Sequence, residues 1–139
     1  MYINNGDINI KLFSTTFELG ANDNKNYDRI VNPYELTNNN KYSTVEIDNG
    51  INCIVAIGKY FENGSNYNAV LNKKNELVVL LGNSILVFEP YSLELLQYKT
   101  IENLIEFVTS FIIDENDNYV IIDTINTKII LDQNFEKIN

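Results

Sequence analysis

From residue 42 onward, the sequence alternates short apolar runs with residues that favour tight turns. The runs are rich in Val, Ile, Leu, Tyr and Phe and cover residues 42–47, 51–57, 67–71, 76–81, 84–89 and 93–99. Turn-forming Asn, Gly and Pro residues separate most of them, at residues 48–50, 63–64, 72–75, 82–83 and 90–92. Asn-Gly supplies the positive φ angles that short hairpins need. The pattern therefore predicts a mainly β protein, an antiparallel meander folded into a sandwich or a curled sheet.

The second half of the chain repeats this pattern at a spacing of 42 residues. Val70 aligns with Ile112, and Val78 aligns with Val120, with a polar turn between the members of each unit. Residues 69–138 resemble β-propeller blades, which contain four short strands and recur about every 40–50 residues. A closed propeller needs at least about four blades, and this chain is too short for that. The resemblance implies two successive blade-like meanders.

One segment departs from the β pattern. Ile101, Leu104 and Val108 recur at helical spacing, and acidic and polar residues occupy the opposite face. Thr100 is a suitable N-cap, because its hydroxyl can accept a hydrogen bond from a free backbone N–H. This spacing predicts one short helix over residues 100–109, packed on a sheet.

The first 41 residues are less regular than the rest. Residues 8–19 predict one or two strands, whereas residues 20–41 lack periodicity and are rich in Asn. Long irregular loops are often functional or disordered, and Tyr and Arg often anchor interfaces. The region therefore supplies five candidate partner-binding residues, namely Tyr27, Asp28, Arg29, Tyr34 and Glu35. The alternative is a mobile loop in an Asn-rich protein. The whole chain, residues 1–139, has the size of one domain.

The charge of the chain is strongly negative. It carries 19 acidic and 10 basic side chains, for a formal net charge of −9. A nucleic-acid binder or a protein of anionic membrane surfaces needs the opposite sign, because its affinity comes largely from neutralising phosphates. Three acids fall in one predicted turn, namely Asp114, Glu115 and Asp117, and they predict a basic protein partner. The alternative is that the acids only keep the protein in solution.

The sequence contains no histidine, and this excludes imidazole-based catalysis and histidine-ligated zinc. Cys53 lies in an apolar run and is expected to be a buried, inert thiol. Residues 114–118 match the first positions of a calcium loop, but Tyr119 stands where the loop needs glycine, and Ile125 stands where it needs a bidentate glutamate. We therefore expect no metal and no cofactor. A pair of carboxylates that hydrolyses a glycan leaves no short motif, and that alternative stays open.

The N-terminus lacks a signal-peptide pattern and no apolar run approaches the length of a membrane span, so we expect a cytoplasmic protein. In its size, its acidity and its lack of a catalytic motif, the chain resembles the small immunity proteins of bacterial toxin–immunity pairs. The resemblance implies a non-enzymatic inhibitor that covers the active surface of a basic toxin. A structural or assembly protein is the alternative, either a phage-like component or a self-associating β-repeat oligomer.

Overall fold

The computed structural model describes residues 1–15, 17–19, 26–60, 67–102, 104 and 107–139. Twelve strands lie within these residues, and this confirms the mainly β class. They are β1 (Tyr2–Asn5), β2 (Ile8–Phe13), β3 (Arg29–Val31), β4 (Tyr42–Asp48), β5 (Cys53–Lys59), β6 (Tyr67–Leu71), β7 (Leu77–Leu81), β8 (Ser84–Phe88), β9 (Leu95–Thr100), β10 (Val108–Ile113), β11 (Tyr119–Asp123) and β12 (Lys128–Leu131).

The strands form three sheets that stack on one another. Sheet A has the order β1-β2-β4-β5-β3, sheet B the order β6-β7-β8-β9, and sheet C the order β10-β11-β12. Sheet B is the middle layer, because alternate residues of β7 point to opposite sides. Leu77, Val79 and Leu81 pack in the core shared with sheet A, whereas Val78 and Leu80 pack in the core shared with sheet C. This double burial explains why β7 is apolar throughout.

The predicted repeat is confirmed in the register of the strands. Val70 of β6 pairs with Val78 of β7, and Ile112 of β10 pairs with Val120 of β11. The equivalent residues of sheets B and C are therefore 42 positions apart in the sequence. Sheets B and C are each one antiparallel meander, and their hairpins have the turn residues that the sequence pattern indicates.

The prediction of a helix over residues 100–109 is wrong for the residues of that range that the structure describes. Thr100 belongs to β9 and Val108 begins β10, while residues 103, 105 and 106 lie outside the described part. The backbone N–H of Ile101 donates to the carbonyl of the β7–β8 turn at 2.7 Å, so the chain continues along sheet B. Ile101 and Leu104 still pack in the core between sheets B and C. The spacing of these apolar residues thus reflects their burial between two sheets and not a helix.

The N-terminal region contains more structure than its sequence suggests. β1 and β2 form a hairpin around Gly6, which has φ 55°, so the strands begin before residue 8. Residues 29–31 form β3, which runs parallel to β5, with Arg29 opposite Ile54. The interpretation of residues 20–41 as structureless is wrong for that strand. Residues 20–25 and the expected turn at residues 63–64 lie outside the described residues.

Candidate binding surface

One five-residue turn recurs at hairpins of sheets B and C and shapes the acidic segment. In the β10–β11 turn, Asp114 Oδ1 accepts hydrogen bonds from the backbone N–H of Asn116 at 2.8 Å and of Asn118 at 3.0 Å. Asp117, the fourth residue, has φ 65°. This is a type I turn followed by a left-handed residue. Other turns of the same form cover residues 72–76, 123–127 and 132–136. Asp114 therefore holds the turn with one carboxylate oxygen.

The acidic turn is joined to two neighbouring turns. Asp117 Oδ1 lies 2.7 Å from Lys73 Nζ in the β6–β7 turn. The backbone carbonyl of Asp117 accepts a hydrogen bond of 2.7 Å from Gln133 Nε2, in the turn that follows β12. Glu115 is exposed at the tip. We call this group of three turns, residues 72–76, 114–118 and 132–136, the turn end of sheets B and C.

A pocket of about 210 Å³ opens at the turn end, between sheets B and C. Tyr119 lines it, and its ring lies 4.8 Å from that of Phe135 and 5.9 Å from that of Phe111, centroid to centroid. Val87 and Gln97 contribute from sheet B, and residues of the three turns complete the lining, Lys73 and Lys74 among them. Pockets for drug-sized ligands measure about 300–1,000 Å³. This pocket therefore suits a single side chain better than a cofactor.

The hydroxyl of Tyr119 is held in its neutral form. Burial raises the pKa of Tyr119, the hydrogen bond from Asn72 opposes this shift, and the negative charges of Glu76 and Asp117 add to it. Asn72 Nδ2 donates to the phenol oxygen at 3.3 Å and to Glu76 Oε1 at 2.8 Å. The pocket thus combines an aromatic ring with carboxylate, ammonium and amide groups, an arrangement suited to binding.

Sequence reasoning identified the acidic turn but missed the pocket. The signal that could have found it is the repeat, because Asn72 is equivalent to Asp114 and Asn75 to Asp117. The alignment places the two turns at the same end of adjacent sheets. It does not reveal that Tyr119 lies between them, since that depends on how the sheets stack.

Two of the predicted N-terminal residues, Asp28 and Arg29, hold sheet A together and fix it to sheet B. Asp28 Oδ2 accepts a hydrogen bond of 2.7 Å from the backbone N–H of Cys53, at the point where β3 and β5 begin. The guanidinium of Arg29 donates to the carbonyl of Ser92 in the β8–β9 turn. Both side chains are exposed as well as bonded.

The other predicted N-terminal residues lie elsewhere. Tyr34 accepts a hydrogen bond of 3.0 Å from Thr100 Oγ1, at the far end of β9, and its ring packs edge-on against that of Tyr98. Glu35 is a turn residue with φ 54°. Tyr27 packs edge-on against another aromatic ring of the N-terminal region, 5.9 Å between centroids. The six residues of β9 span about 20 Å. Arg29 and Tyr34 therefore bond to the chain at opposite ends of β9, whereas Asp114, Glu115 and Asp117 lie together in one turn.

Cys53 is half-buried at the start of β5, less deeply than the sequence suggests. Burial, together with the negative charges of Glu46, Asp48 and Asp28, raises the pKa of the Cys53 thiol to about 11. The thiolate is the reactive species, so the native thiol is expected to react slowly with iodoacetamide at pH 8. Its alkylation rate should rise with pH until about pH 11.

Protein unfolded in urea is the control for this prediction, since its thiol should titrate near the ordinary pKa of 9.0. Identical pH profiles for the native and the unfolded protein would contradict the assignment of the raised pKa to the folded surroundings. Mass spectrometry of the alkylated protein gives both rates.

Within the described residues, no group of three or more His, Cys, Asp or Glu side chains is placed to hold a metal ion. The same residues include no helix of the length and apolarity that a membrane crossing requires. Comparison with protein-family models, with curated proteins and with solved structures found no significant match to this chain.

Proposed function

We propose that this protein is a non-enzymatic binding module that recognises a basic protein, as the immunity proteins of bacterial toxin–immunity pairs do. The observation that carries the proposal is the excess of acid on sheet C and its turns. Residues 108–139 contain six acidic side chains and only two lysines. Such a field attracts a basic partner and accelerates its encounter.

The turn end is the part of this acidic region that best suits specific contact. Glu115 projects from its tip, and the pocket beside it offers the Tyr119 ring and polar groups of both charges to one side chain of the partner. Interfaces combine a desolvated anchor with a polar rim, and the anchor contributes most of the affinity. Binding would then inhibit the partner by covering its active surface.

The test is a pull-down of the tagged protein from a lysate of its source cells, at low and then at moderate salt, with mass spectrometry of the bound proteins. We expect one basic protein in a 1:1 complex, weakened by salt because the Debye length shortens. Glu115→Lys should weaken that complex by roughly three- to tenfold, whereas Glu94→Lys, an equal charge change outside sheet C, should not. Recovery of this protein alone, as a defined oligomer, would overturn the proposal.

A structural or assembly role is the second candidate. It is favoured by one observation, namely that sheet C leaves apolar side chains exposed on the face that points away from sheet B. In sheet B the corresponding face is covered by sheet C, the next sheet along the chain.

A further inference from the structure

Asn49 and Gly50 form an Asn-Gly pair, the dipeptide whose asparagine deamidates most readily. Glycine has no Cβ to shield its backbone nitrogen, and it adopts conformations that other residues avoid. The nitrogen of Gly50 can therefore attack Cγ of Asn49 in a reaction that needs no enzyme. The sequence has two other such pairs, at residues 5–6 and 63–64, of which the second lies outside the described residues.

The reaction at this pair consumes one molecule of water and releases one molecule of ammonia. The Gly50 nitrogen gives its proton to a base in solution and forms a bond to Asn49 Cγ. The bond from Cγ to Nδ2 then breaks, and Nδ2 takes a proton from the solvent and leaves as ammonia. Water opens the resulting five-membered imide at either carbonyl, and this leaves aspartate or isoaspartate at residue 49.

The folded protein restrains both reacting groups. The Gly50 N–H donates to Asp48 Oδ1 at 2.8 Å, and this carboxylate opposes removal of the proton, which would place a second negative charge beside it. Asn49 Nδ2 donates to the carbonyls of Pro90 and Tyr91, both at 2.8 Å, and the Asn49 residue is only 6% exposed. Nδ2 must release both carbonyls before it can take up a proton and leave, so the imide cannot form in this conformation.

The carbonyls that hold Nδ2 belong to the β8–β9 turn, which lies against the end of sheet A. Arg29 of β3 fixes the same turn, because its guanidinium donates to the carbonyl of Ser92. Asn52 adds a hydrogen bond of 3.1 Å from its Nδ2 to the carbonyl of Tyr91. Proteins open locally at a lower free energy than they unfold globally. Separation of this turn from sheet A is therefore the smallest opening that frees the side chain of Asn49.

We propose that Asn49–Gly50 is a spontaneous deamidation site that the contact between sheet A and the β8–β9 turn keeps closed, so that it reacts only when this contact opens. The reaction also makes the opening one-way. Aspartate at residue 49 directs a carboxylate at two carbonyls, and isoaspartate lengthens the main chain by one carbon, so the contact does not form again. This goes beyond the proposed function, because it concerns the lifetime of the fold and not the partner.

The experiment is peptide mapping by mass spectrometry after incubation of the purified protein at mildly alkaline pH, both folded and unfolded in urea. Conversion at residue 49 should be at least about tenfold slower in the folded protein, which corresponds to an opening free energy of about 1.4 kcal/mol. Residues 5–6 are the internal reference, because Gly6 is exposed at the tip of the β1–β2 hairpin. They show in the same digest how fast a pair at an exposed turn reacts in the folded protein.

Two variants test whether this contact controls the reaction. Arg29→Ala loosens the β8–β9 turn without removing any group bonded to Asn49, and it should speed conversion at residue 49 of the folded protein by about three- to tenfold. Lys73→Ala is the matched control, because it removes one cation and its ion pair with Asp117 at the turn end, and it should have no effect. Far-UV circular dichroism verifies that both variants fold.

Conversion at residue 49 that is as fast in the folded wild type as in urea would overturn the proposal. Equal rates in the two folded variants, or no conversion at residue 49 in urea, would do so as well. Asn49→Asp reproduces one product of the reaction, and a variant as stable as the wild type in urea unfolding would overturn the one-way step.

Discussion

Replacing Gly82 with alanine is expected to lower the free energy of unfolding of this protein by about 3 kcal/mol or more. Gly82 lies in the β7–β8 turn, where a Cβ atom would stand 2.1 Å from the carbonyl oxygen of Lys59, the last residue of β5. That atom belongs to the backbone of sheet A and cannot move aside. Ser84 Oγ also accepts a hydrogen bond of 3.0 Å from Lys59 N–H, so sheets A and B are in direct contact here.

Gly50→Ala is the matched control for this prediction. Gly50 has φ 82° and Gly82 has φ 61°, so alanine is strained at both positions, but nothing lies within 4 Å of a Cβ at Gly50. Gly50→Ala should therefore lower the free energy of unfolding by only about 1–2 kcal/mol, which is the cost of a left-handed backbone at alanine. Urea unfolding followed by circular dichroism gives both free energies of unfolding. Equal losses would show that the contact with Lys59 is unimportant.

The hairpins of sheets B and C could be predicted because the interactions that form them are local. In β7 and β8 a run of apolar β-formers, a Gly-Asn turn and a second run follow one another within twelve residues, from 77 to 88. The repeat then fixed the equivalence of Val78 and Val120, and the register of the strands agrees with it. A hairpin needs no information about distant parts of the chain.

The features that depended on stacking could not be predicted. β3 is three residues long, too short for a periodic pattern, and its parallel pairing with β5 involves residues about 25 positions away. The stripe around Ile101 has helical spacing, yet the chain there follows the edge of sheet B. The pocket at Tyr119 is formed by three turns that are distant in sequence. In each case a tertiary contact outweighs the local preference.

Two turns also depart from local rules, each at one buried position. Leu93 and Phe135, 42 residues apart, have φ 57° and φ 62°, where composition favours Gly or Asn. Their exposed fractions are 0% and 5%, and each packs in one of the two cores. Burial of a large apolar side chain, about 1.5–3 kcal/mol, offsets the left-handed conformation, about 1–2 kcal/mol. The repeat identifies the two residues as equivalent, but only the packing explains their backbone.

Asn49→Ala is expected to lower the free energy of unfolding by about 3 kcal/mol, because Asn49 joins sheets A and B at the end opposite to Gly82. Its Nδ2 donates to the carbonyls of Pro90 and Tyr91, both at 2.8 Å, and its side chain is buried. Its Oδ1 accepts from the backbone N–H of Ile51 at 2.9 Å, and it accepts a second bond from the following residue. Truncation leaves the buried carbonyl of Pro90 and two partly buried backbone N–H groups without this partner, and each costs about 1–3 kcal/mol when water cannot replace it.

Two further variants separate the local role of Asn49 from its role between the sheets. Asn52→Ala removes one hydrogen bond of 3.1 Å to the carbonyl of Tyr91 near the surface and should cost no more than about 1 kcal/mol. Asn49→Asp keeps the acceptor that forms the turn but replaces the donor with a charged oxygen facing two carbonyls. If the contact between sheets A and B matters most, Asn49→Asp is at least as damaging as Asn49→Ala in urea unfolding at pH 7. If the turn alone matters, Asn49→Asp is nearly neutral, and Asn49 does not join the sheets.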